Sequence, residues 1–599
     1  MLHVRRNIAI PQHGNDRLQP RRNSQNPDDD ALKGEANGMW AHLEEVSSTP
    51  RANTEELGQG GSATSTSLRG NPPSGGEDIG ALIVQLPNIY TARLLLQHYI
   101  QTVDILHREL HAPSTRALLE TTYTQLSNSH PIPREVLALF FGIFSSSAFH
   151  ICSGHSHSHS RCKELQSTTA LHETWMNIAL DLLLQKGLIV SRTVLSLQAL
   201  CIIIYLILDS EGQTPTYNTL RGIAHTKALQ MKLHLLDAGN KLPDEDVIQV
   251  EIKRRLWWCL ACTDWAVATV PGPQEGTYSF NPKQFGVKYP LNLDDEDLRP
   301  GMGPVEGRPA HEPTSMSFFI EKIRFAELSR DVLDSIQESQ VSIHPSSHDL
   351  AIQSSNRYQA FIDEMPWFLR PGEDTGDQMT TLLEHRPYIF RQKYVLLHGI
   401  YSRMGRLHRP FIARSMYEPR FASSRAVAIN CAKQQVKLYR ATEPGDLCPY
   451  VRSHSIDQHV FGGLVLLAVD IMANKNESGV ESRVRELMET AAMIKRKQQA
   501  FNPSNVTVVV AIDKLIDVLQ TMGAAEGEGD QQAGLEADKT ITRTAGPVCR
   551  PMSCENAEAR GFDPGNMFLP TFVNQDMEEL WEELLSGVSS ENAFNALCM

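Results

Sequence analysis

Apolar residues return at three- and four-residue spacing almost without interruption from 81 to 522, and this one period limits the possible folds more than any other feature of the chain. In "TARLLLQHYIQTVDIL" the spacing gives a helix one apolar stripe. "PREVLALFFGIFSSSAF" opens on a proline suited to a first helical turn. "ALHETWMNIALDLLLQKG" closes on Gly187, a residue that can cap a helix C-terminus. Helical segments such as "TLRGIAHTKALQMKLH", "FFIEKIRFAELSRDVLDSI" and "YVLLHGIYSRMGRLHRPF" continue the pattern. Alternating strand patterns are scarce, and "VTVVVAI" at 506–512 reads either way. The expectation is an all-α chain with one large multi-helix domain at 81–522. No repeat of fixed period calls for a solenoid.

Both flanks differ from this body. Residues 1–80 are rich in Gly, Ser, Asn, Pro and charge, and cannot bury enough apolar surface to offset their ordering entropy, so a disordered arm is expected. Arg5, Arg6, Arg17, Arg21 and Arg22 make that arm diffusely basic. Residues 523–570 read as a second disordered linker, and 571–599 as an acidic amphipathic tail. Formal net charge is −14, and 523–599 carry 14 acidic against four basic residues, so the excess sits in the tail. Nothing global suggests a chain that coats nucleic acid or a membrane surface. The first 30 residues hold no apolar stretch of a secretory signal. The most apolar run, "VLSLQALCIIIYLIL" at 194–208, is short for a membrane span and suits a buried helix. The ten cysteines are scattered and read as reduced thiols.

"EIKRRLWWCLACTDW" at 251–265 places three tryptophans and a Cys259/Cys262 pair on one helix. A structural zinc site usually needs four ligands, and the chain has no second CxxC; core thiols beside Leu256 and Leu260 are the better reading. In "HSHSHS", His155, His157 and His159 alternate and could converge on a metal in an extended segment. No acid lies close in sequence to orient them, so a Ser-rich surface loop is expected, with no metal and no cofactor. GxSxG, P-loop, GxGxxG and HExxH motifs are all absent, and the chain is not read as an enzyme. In the tail, Met577, Leu580, Trp581, Leu584 and Leu585 share one helical face among acidic neighbours. Such a helix can lay its apolar face in a partner's groove, with its carboxylates steering it towards basic partners.

The stretch "VEIKRRLWWCLACTDWAVATVPG" followed by "FGVKYPLNLDDEDL" resembles the middle homology region of the fungal zinc-cluster transcription factors. The matching positions are Arg254, Arg255, Leu256, Trp257, Trp258, Asp264, Pro290, Asn292, Asp294 and Asp295. "AELSRDVLDSI" at 326–336 is similar to the helix that follows in that family. "GRLHRPFIARS" supplies its "LHRP" element as Leu407, His408, Arg409 and Pro410, with Ser424, Cys431 and Ala432 next. Two departures stand out: "PGP" at 271–273 replaces the usual "GRP", and the first cysteine of the chain is Cys152, so the family's six-cysteine zinc cluster is missing. The resemblance implies an all-helical regulatory domain, action in the nucleus with shuttling to the cytoplasm an open option, and a C-terminal activating segment. It also implies control of a metabolic or secondary-metabolite gene set. The expected partners are the transcription machinery, reached through the acidic tail, and a DNA-binding zinc-cluster protein or a second copy of the chain. No direct sequence-specific DNA binding and no membrane are expected, unless the sequence is incomplete. The alternatives are a repressor or scaffold that sequesters a zinc-cluster partner, and an enzyme on a helical scaffold. Within the motif, Arg254 and Arg255 are expected to pair with the acids of 293–297 and pin the long loop to the helix.

Overall fold

The computed structural model describes residues 79–151, 165–185, 191–239, 245–270, 273–338, 344–372, 376–415, 418–441, 454–473 and 478–501, with Asp513 and Ile516. The histidines at 155–159, Gly187, the 506–512 segment, the arm at 1–78 and the tail at 571–599 lie outside the described residues. Among those described, every regular element is a helix.

Helix α1 (Ile79–Val84) leads into α2 (Ile89–Thr102), whose first turn is capped by the Asn88 side chain accepting from the Thr91 amide at 3.0 Å. The sequence suggested one helix through 106. Instead the chain breaks at Val103, forms the single turn α3 (Asp104–His107) and turns at Arg108 in the left-handed region, φ 59°. The break has a local cause: the Asp104 carboxylate accepts from the Leu110 amide at 3.2 Å and pairs with Arg108, which rewards the turn more than another helical residue would. Then follow α4 (Ala112–Ser127), α5 (Arg134–His150), α6 (His172–Leu184), α7 (Val194–Glu211) and α8 (Pro215–Gln230). Pro133 stands just before α5 as its N-cap residue.

The apolar run at 194–208 becomes α7, capped by Thr193 and packed on α5, α6, α8 and on α9 (Val247–Ala268). By length and composition it could cross a membrane, yet 67% of it is buried inside this fold. α9 is likewise buried on most sides, so neither helix has a wet face from which a simple amphipathic stripe could be read. Together they centre a first body whose core runs from Ala92 to Ala326.

Between α9 and α10 (Ser317–Gln337) the described residues 273–316 contain only two short 3-10 turns, Pro282–Gln284 and Asp295–Asp297. After α10 come α11 (His348–Glu364), α12 (Asp377–His385) and the 28-residue α13 (Tyr388–Ser415), which enclose a second core around Phe361, Phe368 and Leu397. Along its length α13 also joins α14 (Ala422–Arg440), α15 (His454–Ala473) and α16 (Val480–Phe501) around a third core that includes Tyr394, Ala428, Leu464 and Ile494. Gly405 and Gly463 let these helices approach closely. A side-chain carbon on Gly405 would lie 3.5 Å from Cys431, and one on Gly463 3.0 Å from Gln435.

Candidate functional site on the central helix

A loop as long as 273–316 carries many backbone donors and acceptors with no helix to satisfy them. α9 and its flanks supply the partners. Asp264 accepts from the amides of Ser279 at 2.6 Å and Phe280 at 2.9 Å with one oxygen. Its other oxygen accepts from Arg221 at 3.1 Å and Gln274 at 2.6 Å. Glu251 accepts from the Leu291 amide at 2.9 Å, and the N-cap residue Asp246 from Gly301 at 2.8 Å. Two indoles work the opposite way: Trp258 donates to the Lys288 carbonyl and Trp265 to the Phe280 carbonyl, both at 2.9 Å. Asn292 then folds the loop upon itself. Its amide donates to the carbonyls of Arg308, Pro309 and Glu312, and its oxygen accepts from Thr314 and Ser317. Pro290, which offers no amide to satisfy, is buried in the same stretch.

The paired acids close the arrangement. Asp295 meets the guanidinium of Arg255 at 2.8 Å and that of Arg108 at 3.1 Å, and accepts from the Ala112 amide at 2.9 Å. All three side chains are at least 95% buried. Burial alone would raise the Asp295 pKa, but Arg108 and Arg255 outweigh it and hold the carboxyl well below the usual range. Arg108 also holds Asp104 at 3.2 Å, where burial dominates and lifts the carboxyl to about 6. Asp294 takes a two-pronged contact from Arg386 at 2.7–2.8 Å and accepts from the Ser315 amide.

Arg254 departs from its expected partners. It turns away from 293–297 and grips Asp237 and Glu251, while Asp237 accepts in addition from the Lys288 amide at 2.9 Å. The reason is helical geometry: neighbouring residues project about 100° apart, so two adjacent arginines cannot both face one loop turn. Leu256, Trp257 and Trp258 are buried. Trp257 packs among Phe280 and Phe285, and Trp258 among Phe285, Tyr289 and Trp265. The tryptophans therefore fasten loop and helix through packing as well as hydrogen bonds.

The LHRP element lies on α13, apart from this arrangement. Leu407 and His408 are buried, Arg409 and Pro410 half-buried, and Pro410 sits inside the helix, where it removes one backbone hydrogen bond. His408 contacts Ser424 on α14 at 2.9 Å. Burial lowers its pKa to about 4, so the ring is neutral.

Chemically these groups are committed to structure. The thiol of Cys259 donates to the His107 carbonyl at 3.2 Å, and burial raises both Cys259 and Cys262, the latter to about 12. Among the described residues no group of three or more His, Cys, Asp or Glu is placed to hold a metal ion. Sequence reading missed Asp104, Arg108, Asp237, Glu251 and Arg386. Asp104 and Arg108 carried a local signal, an acid and a base four residues apart in "DILHR", and so did Glu251, three residues before Arg254 in "EIKR"; Asp237 and Arg386 carried none.

Residues 93–370 match the family described as the fungal specific transcription factor domain. Several relatives are similar over long stretches. The probable transcription factor lepB of Aspergillus flavus is 28% identical over 540 residues, covering 86% of this chain and 92% of that protein. The agnestins biosynthesis cluster transcription factor AgnL11 of Paecilomyces divaricatus is 27% identical over 423 residues, 69% of this chain and 59% of its own length. The transcription factor TAS2 of Pyricularia oryzae is 26% identical over 416 residues, 64% of this chain and 52% of its own length. The loop-holding residues from Asp104 to Ser317 all fall inside the matched region, whereas the LHRP element lies beyond it.

Proposed function

We propose that this chain, which matches the fungal specific transcription factor domain over 93–370, is a fungal transcriptional regulator that controls a secondary-metabolite gene set through its acidic tail, using the helical body as a rigid platform and a zinc-cluster partner to reach DNA. The observation that carries this reading is the internal use of the motif charges. Arg254 and Arg255 hold carboxylates of the first body, and the motif acid Asp294 is held by Arg386, so the signature residues build the platform and leave outward contacts to other segments. The biosynthesis-cluster role in the printed name of the Paecilomyces relative supports the choice of gene set. The regulator acts in the nucleus, as a transcription factor must.

The test is a reporter assay. Residues 565–599 fused to a neutral DNA-binding domain activate transcription. Trp581→Ala with Leu584→Ala abolishes the activity, because fully burying such side chains is worth roughly 1.5–3 kcal/mol each. Gln at Glu578, Glu579, Glu582 and Glu583 weakens it less, through slower encounter. A silent tail, or a larger loss from the Gln set, refutes the groove-binding helix and turns the reading to a repressor that sequesters its partner.

A further inference from the structure

One cavity in the first body lies beside the Asp264 anchor of the loop. It measures about 230 Å³ and lies between α7, α8, α9 and the loop residues Gln274, Ser279 and Phe280. This is below the roughly 300–1,000 Å³ of pockets for drug-sized ligands, so it suits a small molecule. One wall is aromatic and apolar: the His225 and Phe280 rings lie 4.4 Å apart, beside Tyr205, Ile204 and Leu260. The other wall is polar and electrically balanced, because the Asp264 carboxylate is met by the Arg221 guanidinium. Burial lowers the His225 pKa, which keeps that ring uncharged at neutral pH. The side chains of Asn218, His225 and Ser279 line the space, and none of the three makes a side-chain hydrogen bond among the described residues. Cys201 and Cys259 also line it, but burial raises both thiols and removes them as nucleophiles.

Gly222 adds an independent sign. It lies inside α8, is exposed and lines the cavity, and a side-chain carbon placed there would meet nothing within 4 Å. Glycine is unfavourable in a helix interior, and no neighbouring atom requires it here. What its missing side chain does is leave the mouth of the cavity open.

We propose that this cavity binds a small, uncharged, planar aromatic molecule bearing a hydroxyl or carbonyl group, and that its occupancy regulates the domain. The ring packs on Phe280 and His225, and its polar group finds the unspent hydrogen-bonding capacity of Asn218, His225 and Ser279. A charged ligand is disfavoured, since the Asp264–Arg221 pair offers no net charge to repay its desolvation. Regulation follows from position: Asp264 fixes the Phe280 backbone, so a ligand on that wall stiffens the loop leading to Asp294 and Asp295. Only this regulatory step rests on the transcriptional reading above.

The probe is 4-hydroxyacetophenone, followed on the full chain by saturation-transfer NMR and thermal melting. Wild-type protein transfers saturation to the probe's ring protons and melts higher in its presence. G222F keeps the wild-type melting temperature without probe and binds it at least tenfold more weakly. The double variant Asn218→Ala with His225→Ala weakens binding several-fold and carries the test if G222F melts lower. Benzoate binds at least tenfold more weakly than the neutral probe. No transfer to the wild-type chain, undiminished transfer to a correctly melting G222F, or tighter binding of benzoate overturns the proposal. Probe binding with a silent tail reporter leaves the site standing and refutes only activation through the tail.

Discussion

The first body and the third core are both helical, yet they are held together differently. Around α9 the structure depends on charge: Asp264, Glu251, Asp237, Asp295 and Asp294 each accept backbone amides of distant segments while pairing with arginines. Around α14 and α15 nearly every backbone group is spent within a helix, and the packing relies on small residues such as Gly463, Ala428 and Ala432. The contrast shows what irregular backbone demands. A loop that covers a core must be given hydrogen-bond partners by side chains, and carboxylates can accept several amides at once.

Breaking the charged side should cost most. Asp295→Ala leaves Arg255 buried without a carboxylate and Arg108 with Asp104 alone, and about 3–5 kcal/mol of stability should be lost in urea titration. Asp470→Ala is the matched change in the third core, where the Arg425 and Arg483 side chains stay 30% and 21% exposed. Water can take up those charges, so the loss should be about 1–2 kcal/mol. Equal losses at the two sites would erase the distinction.

The small-residue side is tested by Gly463→Val. The new side chain meets Gln435 and Ala432, and overpacking of this kind costs about 1–3 kcal/mol, measured as a lower melting temperature. A neutral outcome would mean that α14 and α15 have room to spare.

A smaller and subtler effect comes from Glu109. It is fully buried with neither carboxyl oxygen hydrogen-bonded, and burial lifts its pKa to about 8 from the ordinary 4.5. Between these values the native state keeps a proton that the unfolded state has released, so stability falls as pH rises through the window. The slope is at most about 1.4 kcal/mol per pH unit. Asp104, lifted to about 6, adds its own fall at lower pH, whereas buried histidines held below the ordinary 6.5, His98, His398 and His408 among them, add a rise up to about pH 7, so Glu109 is read from the difference between wild type and variant. Relative to wild type, Glu109→Gln should shift the pH dependence of the melting temperature upward across pH 6–8, falling less or rising more as pH increases. An unchanged slope would show that another group titrates there.

Much of the architecture could be read from residue spacing. The helical class, the burial of α7 and α9, and the role of Cys259 and Cys262 as core thiols follow from local pattern. So does the attraction between Arg255 and the acids of 293–297, because a charged helix followed by an acidic loop narrows the choice of partners. Partner identity beyond that did not follow. Asp294 finds Arg386 across 92 positions, and Asp295 finds the Ala112 amide across 183. With 56 basic and 70 acidic residues in the chain, sequence alone cannot select such pairs. The break at Val103 was hidden for a different reason: the apolar period runs through it unchanged, and an acid and base four apart, as Asp104 and Arg108 are, suit a continuing helix as well as a turn.

Helix α13 has a mechanical consequence. Near its start Gln392 donates to the Ile105 carbonyl at 2.8 Å, and just ahead of it Arg386 holds Asp294, so one end is bolted to the first body. The whole helix is roughly 42 Å long at 1.5 Å per residue, holds Pro410 late in its course, and enters the third core both near its start, at Tyr394, and near its end, at Ile412. A continuous strut of this kind transmits torque as well as tension. Any tilt of α14–α16 is therefore delivered along the length of α13 to the Asp294 contact near its start.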